Sequence, residues 1–228
     1  MNLFIIGDVH GCFHTFQELL KRWDPTTDHL IQVGDLVDRG AHTPATVELA
    51  RELNEKYPDT TTFLMGNHED AMLHHYAPHG PYPGWLKWGG RSTTEQYRAQ
   101  PTLLARHLPW LKKRPVLWQN EHVLVSHAGI GPSESAYDPD SSDGLLWARG
   151  PLRRLGKLQV VGHTPMSDGE PILDPDSHTM YIDTGAVFGG NLTGLRLSPT
   201  GAVLDIVLIP VFPQDLLEKP RFSYLTPQ

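Results

Sequence analysis

Cysteine is nearly missing: Cys12 stands alone in 228 residues, which excludes a disulfide framework and a thiolate metal cage. No apolar run approaches the roughly 18 residues of a membrane span. The opening Met1-Asn2-Leu3-Phe4-Ile5-Ile6 also lacks the basic start and small-residue cleavage site of a signal peptide, and reads as a strand. A cytoplasmic protein without membrane contact is expected. Positive charge is scarce, with 19 Lys and Arg against 26 Asp and Glu and a net charge of -7. Binding to a nucleic acid duplex needs a basic face, so that class is set aside. A small phosphorylated substrate is not, because a bound cation can invert the local field. Hydrophobic residues reach 39% and charged residues only 20%, a balance that excludes disorder. Turns are abundant instead: 21 Gly and 20 Pro exceed the usual share yet stay below the low-complexity range. The length suits a single domain over 1–228 with a full core.

Leu3–Ile6, Leu30–Val33 and Thr61–Met65 are short apolar runs suited to buried strands. Between them, Phe13, Phe16, Leu19, Leu20 and Trp23 recur at helical spacing up to Pro25. Pro44 to Leu53 repeats the pattern, with Thr43 as N-cap. A third helix starts at Glu69 and runs to His75. Strand alternating with helix predicts an α/β fold with parallel strands. Residues 77–114 change character, with Pro78, Pro81, Pro83 and the indoles Trp85, Trp88 and Trp110, and read as an inserted helical lid containing two helices. Short strands follow at Val116–Trp118, His122–Ser126, Gln159–Gly162, Met180–Asp183, Leu192–Leu197 and Val203–Ile209. They predict a second, largely antiparallel sheet packed on the first. Residues 213–228 read as a surface tail with few core contacts.

The chemistry is concentrated at strand ends. The first three strands run into Gly7-Asp8-Val9-His10-Gly11, Gly34-Asp35-Leu36-Val37-Asp38-Arg39-Gly40 and Gly66-Asn67-His68-Glu69. Two later ones run into Ser126-His127-Ala128-Gly129 and Gly162-His163-Thr164-Pro165. The C-terminal ends of parallel strands share one edge, where ligands bind. Carboxylates, an amide oxygen and imidazoles without thiolate make a hard-to-borderline metal site. A single Gly-Asp after a strand is ordinary turn chemistry, but five compatible clusters at five strand ends are not.

These motifs, GDVHG, GDLVDRG, GNHE, SHAG and GHTP, resemble those of the calcineurin-like metallophosphoesterases, in particular the phosphoprotein phosphatase branch. The resemblance runs from Leu3 to Leu197. Leu145-Leu146-Trp147-Ala148-Arg149 is similar to the small bacterial and phage serine/threonine phosphatases, and His127-Ala128-Gly129-Ile130 also to the bacterial diadenosine tetraphosphatases. The resemblance implies a two-sheet β-sandwich core flanked by helices. It further implies two metal ions, the first held by Asp8, His10 and Asp35. Asp35 would bridge to the second, completed by Asn67, His127 and His163. Manganese is expected first, and iron, zinc, cobalt or nickel suit the same donors. A hydroxide between the ions would attack phosphorus, Arg39, Arg149 and Asn67 would bind the phosphoryl group, and His68, oriented by Asp38, would be the general acid. Glu69 and Asp183 are expected to support the ligands. The implied function is a metal-dependent phosphomonoesterase acting on phosphoserine and phosphothreonine in proteins. Two alternatives stay open, a dinucleoside polyphosphate hydrolase and a noncatalytic metal-bound scaffold. Cys12 is expected to be a small core residue, His74, His75 and His79 surface or lid residues, and Arg153-Arg154 a solvated pair. Trp85 and Trp88 anchor the lid or offer a stacking face to substrate.

Overall fold

A computed structural model describes residues 1–217. Strand β1 (Asn2–Ile6) pairs in parallel with β2 (Asp28–Gln32), and β2 with β3 (Thr61–Phe63). The crossovers are α1 (Phe13–Leu20) and α2 (Thr43–Lys56), and α3 (Asn67–Tyr76) follows β3. Alternation along β1 assigns its two faces. Phe4 and Ile6 pack with Phe16, Leu19 and Val47 beneath the helices. Leu3 and Ile5 pack with Val123, Val125, Val160 and Ile182 between two sheets. A strand buried on both faces needs an apolar residue at every position, which is why Leu3–Ile6 is continuous.

The second sheet contains β4 (Leu117–Gln119), β5 (Val123–Ser126), β6 (Leu158–Val161), β7 (Ile172–Asp174) and β8 (Thr179–Tyr181) in the order β4-β5-β6-β8-β7. The prediction of a largely antiparallel second sheet fails in two ways. Strands β5, β6 and β8 run parallel to one another, because they are joined by long crossovers and not by hairpins. The last two predicted strands, found as β9 (Asn191–Leu197) and β10 (Val203–Pro210), join the first sheet instead, β9 antiparallel to β1 with Leu3 opposite Leu197. Alternation marks β9 as a strand but does not encode its partner. Both sheets are therefore mixed and five-stranded, stacked face to face, with helices on the outer face of the first.

The segment 77–114 contains α4 (Pro83–Trp85), a wide turn at Leu86–Gly90, α5 (Arg91–Arg98) and α6 (Pro101–Leu111). The predicted N-cap Thr43 lies one residue inside α2, whose N-cap is His42; Pro44 suits the first turn, where no N–H is needed. Helix α1 ends at Leu20, short of Pro25. Arg153 and Arg154 are not merely solvated: Arg153 donates to the Pro132 carbonyl at 3.2 Å and Arg154 to the Pro175 carbonyl at 2.7 Å. The start of the predicted tail also departs from expectation. Asp215 is fully buried and accepts hydrogen bonds from the Thr15 amide and hydroxyl at 2.8 and 2.6 Å, across the chain. The remainder of that tail lies outside the described residues.

Candidate active site

Six strand ends meet at one edge of the sandwich. Asp8 and His10 follow β1, Asp35, Asp38 and Arg39 follow β2, and Asn67, His68 and Glu69 open α3 after β3. His127 follows β5, His163 follows β6 and Asp183 follows β8. All of these except Arg39 are buried. The backbone is bent to deliver them: His10, Asp35, Asp38, Arg39 and His163 all have left-handed φ, between 46° and 76°. Such residues cost about 1–3 kcal/mol each and cluster where geometry serves a site. Glycine provides the room. A Cβ on Gly34 (φ 103°) would meet Gly66 Cα at 2.6 Å, so the loops after β2 and β3 touch only because both residues are glycine.

Glu69 holds these loops in place. Its carboxylate accepts the amides of Asp35 (2.7 Å), Leu36 (2.8 Å), Val37 (3.0 Å) and Gly66 (2.9 Å). Burial and the Asp35 charge push the Glu69 carboxyl up to about 8, against the pull of those amides.

The donor atoms fit a cation. His10 Nδ1 donates to the Val37 carbonyl at 2.7 Å and His127 Nδ1 to the Val33 carbonyl at 3.1 Å. Each bond fixes a tautomer and leaves Nε2 an acceptor, met in His10 by Arg39. His10 Nε2 lies 3.4 Å from Asp35 Oδ2, and His127 Nε2 lies 3.5 Å from the same oxygen. Asn67 Oδ1 stands 2.8 Å from His127 Nε2 and 3.0 Å from His163 Nδ1. His127 Nε2, Asn67 Oδ1 and Asp35 Oδ2 thus crowd together as three acceptors with at most one proton, on His163 Nδ1, to share. A positive ion satisfies such a set; water alone does not. Burial also lowers the affinity of His10, His127 and His163 for protons, His163 to about 2, and so keeps them neutral, the form a metal takes. Asp8 completes a second grouping with Asp35 and His127. Its carboxylate accepts the His163 amide at 3.1 Å, and burial with the charges of Asp183 and Asp35 raises its proton affinity. Asp35 is opposite: burial pushes it up, but His127, His68, His10 and Arg39 hold it well below the usual carboxylate range.

Distance alone groups His68 with His10 and Asp35, since His68 Nε2 is 3.9 Å from Asp35 Oδ2. The other face of its ring meets Asp38 Oδ2 at 2.6 Å. Asp38 is fixed in turn by two lid residues, Trp85 Nε1 donating at 2.6 Å and Thr93 Oγ1 at 2.6 Å. Trp85 is fully buried, so it is an anchor and not a substrate platform. Its bond to Asp38, like that of Thr93, has no signature in the sequence, because 47 and 55 residues separate the partners. Arg39 donates to His10 Nε2 and, at 2.8 Å, to His68 Nε2, with its guanidinium over the Phe188 ring. Arg149 is exposed at the rim, beside a hollow of about 470 Å³ lined by Leu152, Thr164, Met166 and Tyr181. Trp88 is 38% exposed and packs edge-on against Tyr82 and Trp147. His74 and His79 are exposed, His75 packs on Trp85, and Cys12 is buried in the core, where desolvation raises its thiol well above the ordinary value.

Residues 1–189 match the calcineurin-like phosphoesterase family, and the chain belongs to it: it is a hydrolase of phosphate esters that binds divalent metals. It is 31% identical over 211 residues to serine/threonine-protein phosphatase 1 of Salmonella typhimurium, covering 86% of this chain and 92% of that protein. It is 29% identical over 250 aligned positions to the asymmetrical bis(5'-nucleosyl)-tetraphosphatase PrpE of Bacillus cereus, covering 94% and 98%. A serine/threonine phosphatase structure from Saccharomyces cerevisiae superposes with a TM-score of 0.63 at 18% identity, covering 98% of this chain and 84% of that one. A metallophosphoesterase from Sphaerobacter thermophilus gives 0.60 at 16% identity, covering 93% and 89%. At such identities the structures establish the shared fold. No helix among the described residues is long and apolar enough to cross a membrane.

Proposed function

We propose that the protein removes phosphate from phosphoserine and phosphothreonine in cytoplasmic proteins, using two metal ions, with manganese the preferred occupant. The observation that carries this reading is the His68–Asp38 pair, held at 2.6 Å and braced from the lid by Trp85 and Thr93. A serine alkoxide is a poor leaving group and needs a proton as it departs. A nucleotide phosphate leaves without one. A buried, three-point-fixed acid is machinery for the harder bond.

In this reading Asp8, His10 and Asp35 would hold one ion, and Asp35, Asn67, His127 and His163 the other, with Asp183 adding negative charge beside Asp8. Bound there, the ions supply Lewis acidity and bring the ionisation of water toward neutral pH. Asn67 also touches the phosphoryl group, and Arg39 and Arg149 bind its remaining oxygens with planar, permanently charged forks. Moving Arg39 onto the phosphate releases His68 Nε2, which then takes up a proton from water and delivers it to the leaving oxygen while Nδ1 stays bonded to Asp38. The same intact dyad argues against a noncatalytic scaffold.

Hydrolysis of dinucleoside polyphosphates is the second reading. It is favoured by the exposed Trp88 and its neighbour Trp147, which stand near Arg149 and could stack on a base. A side-by-side assay with metal added back separates the two. Faster turnover of phosphopeptide per unit enzyme is expected; faster turnover of diadenosine tetraphosphate would promote the second reading.

A further inference from the structure

Among the described residues, one group of three metal-competent side chains lies outside the active site: His14, His42 and Asp215. We propose that this group, with the Gln214 carbonyl, is a separate structural site for a borderline divalent cation such as Zn²⁺, Co²⁺ or Ni²⁺. Asp215 is fully buried although it comes from the end of the described chain. Its Oδ1 lies 3.9 Å from His42 Nε2 and accepts the His14 amide at 3.0 Å. The His14 and His42 rings stand edge to face with centroids 5.0 Å apart. One donor atom from each of the three side chains falls within 4.8 Å of the others. A tetrahedral zinc site with bonds of about 2.1 Å holds its donors about 3.4 Å apart. Rotation of the two half-buried imidazoles closes the difference.

His42 Nε2 also faces the Gln214 carbonyl at 2.9 Å. On binding, its proton moves to Nδ1, and the Nε2 lone pair and the carbonyl oxygen both turn to the ion. Two imidazoles, a carboxylate and a carbonyl form a donor set for borderline cations, which thiolate-free sites select by geometry. A hollow of about 580 Å³ lined by His14, Gln17 and Gln214 lies beside the group. The site would bind together three separate pieces of chain: the start of α1, the segment after Arg39 and the end of the described chain. The Ala41 amide already donates to the Asp215 carbonyl at 2.9 Å, and the His42 amide to Gly11 at 3.1 Å. A cation there fastens the back of the loops that carry His10 and Arg39 without touching substrate.

The test counts ions. The full chain and the double variant His14→Gln, His42→Gln are stripped by chelation, dialysed against a small excess of Zn²⁺, and analysed for metal per chain. The unaltered protein is expected to hold one ion more than the variant, and Zn²⁺ to raise its Tm further. Activity on an aryl phosphate should agree within about twofold when both proteins are loaded with Mn²⁺. The difference of one ion does not depend on how many the active site takes. Equal counts in the two proteins would overturn the proposal. Should the double variant fail to fold, His42→Gln, whose amide can keep the bond to Gln214, is expected to show the same difference, and an equal count there would overturn it too.

Discussion

His68 and Asp38 allow the sharpest statements about single residues. Both are buried and bonded at 2.6 Å, and His68 Nε2 lies 3.9 Å from Asp35 Oδ2, the oxygen that His10 and His127 also approach. His68→Asn keeps the helix N-terminus and removes the transferable proton. Turnover of phosphoserine peptides should fall by about 10²–10⁴-fold, the worth of a general acid, and that of an activated aryl phosphate far less. An equal loss on both substrates with metal content unchanged would assign His68 another role. Trp85→Phe probes the brace. It deletes one N–H to a buried carboxylate, an interaction worth about 1.5–3 kcal/mol, so kcat on phosphoserine should drop by roughly 10–100-fold with KM little changed. An unchanged kcat in a folded variant would show that Thr93 alone positions Asp38. None of this bracing is visible in the sequence, where Trp85 reads only as one of several lid indoles. The clustered Asp, His and Asn side chains are visible there, since each follows a strand end in a Gly-bounded cluster, and backbone sterics confine left-handed turns to a few residue types.

The lid helices α5 and α6 rest on α2 through a polar relay. Glu48 on α2 accepts bonds from Arg51 at 2.9 and 3.0 Å, from Arg106 at 2.6 Å and from His107 Nε2 at 2.7 Å. The fully buried His107 turns its Nδ1 to the Tyr97 hydroxyl at 2.7 Å. With His107 neutral, Nδ1 accepts from the Tyr97 hydroxyl and Nε2 donates to Glu48. The hydrogen bonds from Arg51, then those from His107, hold Glu48 down to about 2 from the ordinary 4.5. Burial outweighs Glu48 and lowers His107 as well. Both shifts act in one direction. The unfolded chain takes up protons that the folded chain refuses, so stability is lost on acidification, first below about 6.5 as His107 would charge. The share due to Glu48 is present above 4.5 and disappears as pH falls toward 2. Glu48→Gln should therefore lower Tm at pH 7, with the gap to the unaltered protein narrowing steadily below pH 4.5. A gap independent of pH would mean that the carboxylate charge is not what ties the lid down. At this scale legibility depended on contact distance. Helices α1 to α3 and strands β1 to β3 are read from local periodicity, whereas the transfer of β9 and β10 to the first sheet depends on a pairing with β1 that no local pattern encodes.

Two sheets and a lid deliver six strand ends to one edge, and exposed side chains border it. Arg149 and Trp88 stand exposed on the rim, and among the described residues no lid residue lines the hollow beside Arg149. An open rim suits a phosphoresidue on a protein surface, gripped through its phosphate. Trp88→Ala should change kcat/KM for phosphopeptide and aryl phosphate by less than about tenfold, or 1.4 kcal/mol. A selective collapse on dinucleoside polyphosphates, with phosphopeptide turnover intact but slower from the outset, would reverse the preferred substrate. The central claim, that phosphate ester hydrolysis here is metal-dependent and passes through the Asp35 site, is tested most directly by following activity and metal content on the same sample. The protein is stripped by chelation and Mn²⁺ is returned in steps, alongside Asp35→Asn. Activity should vanish with the metal and return as the site fills, and the variant, lacking the shared carboxylate, should bind metal weakly and stay nearly inactive. Full activity in a sample whose metal content is nil would contradict the account.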